Sequence, residues 1–180
     1  MRRNRVCLVF GIVLLVAALI FGGVRYHQIN TLYPNPHVTE VSVGEPVAYK
    51  DITITATGSE MMQMSQLPEM ESSENASFWP EDTVVVRVDL TLYSEMDNAM
   101  DLYRFALENG LSATQPLWDM MYALYGSTRQ ELNAGESATF SLYFPFTQAA
   151  YSEKDWMRIA DMGFTLELVD TYPQRIRITL

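Results

Sequence analysis

The chain has 180 residues and is acidic, with 22 Asp and Glu against 12 Lys and Arg. All the acids follow Arg25, and three arginines precede it, so residues 25–180 hold nine basic and 22 acidic side chains and carry a net charge of −13. Such a charge repels nucleic acid and anionic lipid headgroups at long range, which excludes both as expected partners. The only cysteine, Cys7, leaves no internal disulfide, so the fold depends on its apolar core.

An uncharged run, VCLVFGIVLLVAALIFGGV, occupies residues 6–24 after a basic flank at residues 1–5. Nineteen helical residues at about 1.5 Å each nearly match the roughly 30 Å hydrocarbon core of a bilayer. The run is longer than the core of a usual signal peptide and has no good small-residue cleavage pair, although cleavage near Gly22 or Gly23 stays open. The flank places residues 1–5 in the cytoplasm. We predict a single-pass transmembrane signal anchor in the cell membrane, with an extracytoplasmic C-terminal domain.

Residues 25–37 follow the predicted anchor and contain a Pro-x-Pro spacing at Pro34 and Pro36. Residues that precede a proline favour extended backbone. We interpret this segment as a short stalk, followed by one domain over residues 38–180.

Apolar residues alternate with polar ones along most of this domain, which is typical of strands with one buried face. The segments are 52–56, 84–92, 140–146, 164–168 and 176–180. Residues 103–107 alternate up to Asn109-Gly110, a dipeptide that favours a type I′ hairpin turn. We expect a further strand over residues 117–125, with a helical turn as the alternative. Few helical signals separate these segments, so the pattern predicts an all-β antiparallel sandwich.

One short helix is predicted after Ser152, which forms a capping-box-like pair with Asp155. Tyr151 and Trp156 have the spacing of a hydrophobic staple across the start of this helix, and Gly163 is expected to close its end.

An acidic stretch rich in methionine, EMMQMSQLPEMESSE, occupies residues 60–74. Three interpretations stay open: a solvated loop whose first methionines finish a strand, an adaptable partner surface, and a Cu(I) site built from thioethers. The candidate metal ligands are Met61, Met62, Met64 and Met70. A calcium site is a further alternative, with oxygen ligands at Asp97, Asn98 and Asp101.

Catalytic groups are sparse in the predicted domain. His27 and His37, the only histidines, lie in the predicted stalk, and neither Lys50 nor Lys154 has the spacing of a Ser-Lys catalytic pair. No nucleophile is visibly matched with a base, so we expect a protein without enzymatic activity and without a cofactor.

Tryptophans near loops are the candidate partner contacts, because large aromatic side chains supply much of the energy of protein interfaces. They are Trp79, Trp118 and Trp156. Each is also suited to anchoring the core of a small sandwich.

Three segments in order resemble the Ig-like exported domains of unknown function that are anchored to Gram-positive cell membranes. They are VGEPVAYKDITITATGSE (43–60), DTVVVRVDLTLY (82–93) and LNAGESATFSLYFPF (132–146). The resemblance covers roughly residues 34–180 and implies an Ig-like β-sandwich with no catalytic residues. The chain departs from this group by having SEMDNAMD at residues 94–101 in place of an Asn-Ser/Thr cluster.

Together these features predict an uncleaved, membrane-spanning envelope protein that acts by binding another envelope protein. The alternative function is the handling of Cu(I) or Ca²⁺ by the methionine-rich acidic loop.

Overall fold

The structure, a computed structural model, describes the backbone of residues 2–67 and 79–180, and side chains from residue 14 onward within those ranges. The described chain divides into two compact units, residues 1–37 and residues 38–180.

The first unit is formed mainly by one continuous helix, α1, Arg2–Leu32. Helix therefore extends through the first eight residues of the predicted stalk. No helix within the described part of the chain is both long and apolar enough to cross a membrane. Eight residues of the predicted anchor, 6–13, have side chains outside the described residues.

The second unit is mostly a β-sandwich, with two short α-helices among its described residues. Its first strands are β1 (His37–Ser42), β2 (Val47–Tyr49), β3 (Ile52–Gln63), β4 (Val84–Ser94), β5 (Asn98–Asp101) and β6 (Phe105–Glu108). They are followed by β7 (Ala113–Thr114), α2 (Trp118–Tyr125), β8 (Arg129–Leu132), β9 (Ser137–Phe146), α3 (Glu153–Trp156), β10 (Thr165–Leu168) and β11 (Gln174–Thr179). One sheet has the order β1-β11-β10-β6-β7 and the other β2-β3-β4-β9, while β5 and β8 pair as a separate ribbon.

The main core lies between the two sheets and follows from the predicted alternation. On β4, Val84, Val86, Val88, Leu90 and Leu92 are all buried. Buried register partners lie beside them on both neighbouring strands: Phe140, Leu142, Phe144 and Phe146 on β9, and Ile54 and Ala56 on β3. The facing sheet contributes buried side chains from β6, β10 and β11 to the same cluster. The fold class predicted from period-two alternation is therefore a β-sandwich in the structure as well.

A second, smaller apolar cluster lies on the outer face of the four-stranded sheet. Val85 points away from the main core, pairs with Met62, and is fully buried. The buried members are Met64, Leu67, Val85, Leu117 and Met120, with Met62, Trp79 and Tyr143 packed against them. We call this group the outer cluster.

Residues 118–125 form helix α2, so the prediction of a strand over 117–125 is wrong. Met121 packs into the main core while Met120, its neighbour, packs into the outer cluster. A helix that is buried on two sides has a dense apolar sequence, which hides its 3.6-residue period. The helix ends at Gly126, whose left-handed conformation (φ 70°) allows its N–H to bond Tyr122 O.

The predicted start of α3 is confirmed, but its predicted end is wrong. The Ser152 hydroxyl accepts a hydrogen bond from Asp155 N, and the Tyr151 and Trp156 rings lie 5.6 Å apart, as in a hydrophobic staple. The α-helix ends at Trp156 rather than near Gly163, and a 3₁₀ turn follows at Ile159–Asp161. Residues 79–180 therefore contain two short α-helices, α2 and α3, where the sequence predicted one.

The β6–β7 hairpin is present at Asn109-Gly110, but its turn is longer than expected. A two-residue type I′ turn needs positive φ at both residues, and only Gly110 (φ 82°) has it. Instead, Asn109 Oδ1 accepts hydrogen bonds from Leu111 N and Ser112 N, which closes a four-residue loop.

Candidate functional site

A surface cleft of about 590 Å³ lies beside the short edge strand β7. Three aromatic side chains line it: Trp79, Tyr103 and Trp118. The remaining lining residues are Ala106, Val169 and the segment from Ala113 to Leu117, together with Asp119. We call this site the aromatic cleft.

Trp118 contacts a second ring of the cleft, Tyr103, and the ring of Tyr122 on the same helix. Trp118 stacks on Tyr122 with centroids 5.4 Å apart and an interplanar angle of 17°, and its centroid lies 6.1 Å from that of Tyr103. Trp118 is 55% exposed and Tyr122 is 45% exposed. Rings of this size held by ring contacts lose little conformational entropy when they bind a ligand.

Helix α2 holds this aromatic group in place because it is fastened to the edge of β9. Leu117 N donates to Tyr143 O at 2.7 Å at the start of the helix. At its end, the Tyr125 hydroxyl accepts from Ser141 N at 2.7 Å and donates to Ser141 O at 3.2 Å. These bonds satisfy main-chain groups on the outer edge of β9, which a sheet edge otherwise exposes.

The chemical character of the cleft is aromatic and mildly acidic. Asp119 is the one carboxylate among the described residues that line it, and no Lys, Arg or His is among them. Gln115 Nε2 donates to Tyr103 O at 3.4 Å, which connects the segment after β7 to the turn before β6. Such a surface is suited to stacking and to apolar contact, with Thr114 and Gln115 as polar groups at its edge.

Two of the three tryptophans predicted as partner contacts meet in the cleft. Trp118 is exposed there, whereas Trp79 is half-buried because it also packs against the outer cluster. Trp156 lies elsewhere, half-buried against the main core and Tyr151.

The candidate methionines are divided between the two clusters. Met61 and Met62 are neighbours on β3 and therefore point to opposite faces of the sheet. Met61 packs against the main core, while Met62 and Met64 pack with the outer cluster. Met70 and the acidic stretch over residues 68–78 lie outside the described residues.

The oxygen ligands considered for calcium each accept a hydrogen bond from a main-chain N–H. Asp97 Oδ1 accepts from Ala134 N, Asn98 Oδ1 from Ala99 N, and Asp101 Oδ1 from Tyr103 N. Among the residues with described side chains, no group of three or more His, Cys, Asp and Glu is arranged to hold a metal ion.

Tyr103 and Tyr122 were missed as site residues by the sequence analysis. Tyr103 was assigned to an alternating strand, but it lies in a 3₁₀ turn, Leu102–Arg104, just before β6. Tyr122 was placed within an expected strand. The signal for the site was the spacing of four between Trp118 and Tyr122, which places both rings on one helix face.

No protein-family model matches the sequence, and no curated protein sequence does. Several solved structures are similar in fold at low identity. One is a candidate lipoprotein (ycdA) from Bacillus subtilis, with 10% identity and a TM-score of 0.47, covering 75% of this chain and 38% of that one. Another is a functionally unknown protein from Listeria monocytogenes, with 11% identity and a TM-score of 0.46, covering 70% and 69%.

A third similar structure is an uncharacterized β-sandwich protein from Clostridium difficile. It has 10% identity and a TM-score of 0.48, and the match covers 81% of this chain and 96% of that one. This chain spans well under half of the Bacillus protein but nearly all of the Clostridium protein. Scores and identities this low carry no inference about ligands or activity.

Proposed function

We propose that the chain is a non-enzymatic, extracytoplasmic binding domain of the bacterial cell envelope, related to the Ig-like exported domains, and that its aromatic cleft engages another envelope protein. The observation that carries the proposal is the stacked and exposed pair Trp118 and Tyr122. Trp118 lines the cleft and Tyr122 stacks on it, and a stacked pair of large aromatic side chains that stays exposed beside a concave site is unusual on a domain that binds nothing.

The fixed position of the cleft supports this function. Trp118 and its stacking partner Tyr122 belong to α2, and α2 is joined to β9 by main-chain and hydroxyl hydrogen bonds at both of its ends. Preorganised contact residues lower the entropic cost of association, so a small set of rings gives useful affinity.

Loss of the aromatic pair tests the proposal. We expect Trp118→Ser and Tyr122→Ser each to reduce the recovery of a specific envelope protein from gently cross-linked native membranes by about tenfold or more. Tyr93→Ser is the matched control, because Tyr93 is an exposed aromatic residue (37%) on β4 that does not line the cleft. Equal recovery with all three variants would refute the cleft as the binding surface.

We propose further that α1 anchors the domain in the membrane as an uncleaved segment. The uncharged run over residues 6–24 lies within one continuous helix. The side chains of this run that the structure describes, those of residues 14–24, are all exposed. An apolar helix surface of this kind is stable in lipid rather than in water.

Alkaline extraction of membranes tests the anchor. We expect the full chain to remain in the membrane pellet, and a variant that lacks residues 2–24 to be released. A full-length chain that is extracted by alkali would contradict anchoring, and a mature N-terminus near Gly22 would show cleavage instead.

A further inference from the structure

The cleft combines three aromatic rings with one carboxylate among its described lining residues. Asp119 lines it, and Glu81 and Asp82 follow Trp79 within three residues and are exposed. The described cleft lining contains no basic residue, and residues 25–180 carry a net charge of −13. The faces of aromatic rings are themselves electron-rich, so ring and carboxylate attract the same kind of group.

Most arginines of the domain are already engaged by neighbouring groups. Arg87 pairs with Glu60 and Asp89, and Arg175 pairs with Glu167. Arg177 pairs with Glu40 and Glu108. The acids exceed the bases by 13 in residues 25–180, so an acidic surplus remains after these pairs form, and it attracts a cationic partner.

The chain itself shows how an arginine binds such a ring. The Arg104 guanidinium lies 5.5 Å from the centroid of the Tyr49 ring, and it also donates to the Tyr49 hydroxyl and to Asp170 O. A planar guanidinium is weakly hydrated and stacks on aromatic faces, which makes it better suited than an ammonium group to a partly desolvated aromatic site.

From this complementarity we infer that the aromatic cleft binds an arginine-containing basic segment of its protein partner, with a guanidinium placed against the rings of Trp118 and Tyr103 and near Asp119. The inference rests on the proposed function and specifies its ligand class. Trp79 also lines the cleft. The net negative charge of the domain speeds the encounter, and the rings select the guanidinium.

Peptide titration against the full-length chain in neutral detergent tests this inference. The probes are a fluorescein-labelled tetra-arginine peptide and the matching tetra-citrulline peptide, whose planar urea keeps the size and shape of the guanidinium but has a carbonyl oxygen in place of one NH2 group and lacks the charge. We expect the arginine peptide to bind at least tenfold more tightly than the citrulline peptide.

The protein variants separate the cleft from the overall charge. Trp118→Leu keeps the net charge and removes the ring, and we expect it to weaken the binding of the arginine peptide about tenfold. Tyr93→Leu is the control and should bind like the unmodified chain. Thermal unfolding of each variant establishes that it is folded.

The outcomes distinguish this inference from the proposed function. Binding of the arginine peptide that is unaffected by Trp118→Leu would overturn the inference, because it would reflect charge alone. Equal binding of both peptides would overturn the requirement for a cation. If neither peptide binds while Trp118→Ser still abolishes recovery of the envelope partner, the ligand class is wrong and the proposed function stands.

Discussion

Tyr151 connects the region before α3 to the β6–β7 turn, because its hydroxyl accepts a hydrogen bond from Asn109 Nδ2 at 2.9 Å. Its ring also contacts Trp156. Partial burial of the phenol disfavours the charged form and raises the pKa of Tyr151, while hydrogen bonds from Asn109 and Ser112 oppose this rise. The folded state therefore holds this proton more tightly than the unfolded state.

A pH dependence follows from the raised pKa of Tyr151. A raised pKa contributes stability that is fully present below the unfolded pKa of about 10 and is lost as pH rises through the folded pKa. We expect the midpoint of thermal unfolding to fall more steeply above pH 10 for the unmodified chain than for Tyr151→Phe. Parallel curves for the two proteins would contradict this assignment.

Glu167 is the most protected carboxylate of the ion pairs on the outer face of the five-stranded sheet. It accepts two hydrogen bonds from Arg175, at 2.6 and 2.7 Å, and lies 4.0 Å from Arg177 Nε. Its side chain is 16% exposed. The carboxylate raises the pKa of Arg175 through these hydrogen bonds and through its charge.

Removal of the Glu167 charge is expected to lower the stability of the fold, because the ion pair of Glu167 with Arg175 is bidentate and partly shielded from solvent. We expect Glu167→Gln to lower the free energy of unfolding by about 1–2 kcal/mol. Glu131→Gln is the control, since the Arg129 and Glu131 side chains are largely exposed and lie 3.6 Å apart, and its effect should be close to zero. Chemical denaturation of both variants makes the comparison, and equal losses would contradict the shielding argument.

Among the elements, α2 is the one on which the site depends. Gly126 ends it in a left-handed conformation at φ 70°. A Cβ added at this position meets no heavy atom within 4 Å, so the cost of a substitution comes from backbone strain alone. Strain at this end of the helix also affects the nearby bond between Tyr125 and β9.

We expect Gly126→Ala to destabilise the domain by about 1 kcal/mol, because an L-residue pays for the left-handed conformation. Gly163→Ala is the matched control. Gly163 has the same open surroundings but no positive φ, so alanine there should be neutral or slightly stabilising. Unfolding measurements in which both variants lose the same stability would show that α2 does not need this cap.

Strands with one buried face could be predicted from the sequence, because alternation directly reports which side of a sheet is covered. Residues 84–92 show this most clearly, since their alternate side chains form the centre of the main core. The β5–β8 ribbon could not be predicted in this way. Its sequences, NAMD and RQEL, are short and largely polar, and their pairing is set by contacts distant in sequence.

The aromatic cleft could be predicted only in part, because it depends on α2. Trp79 and Trp118 were identified from residue type alone. Assigning residues 117–125 to a strand separated Trp118 from Tyr122, which the helix brings into a stack. Met120 and Met121 are buried in two different clusters, so apolar residues follow one another in the segment and obscure the periodicity that distinguishes a helix.

For the whole molecule, charge and hydrophobicity are separated along the chain. The uncharged run at residues 6–24 precedes a domain that holds every acidic residue. On the domain, the described aromatic cleft has no basic lining residue. This division is consistent with a domain held at the membrane that presents an acidic, aromatic surface to a cationic partner.

The central claim is that the partner contacts the aromatic cleft directly, and site-specific photo-cross-linking in the native host tests it. A benzoylphenylalanine side chain would replace Trp118, which lines the cleft, or Tyr122, which stacks on Trp118, and Tyr93 or Met157 as exposed positions that do not line it. We expect the same cross-linked envelope protein from the Trp118 and Tyr122 positions and none from the other two. Adducts of equal yield at Tyr93 and Met157, or no adduct at Trp118 or Tyr122, would contradict the claim.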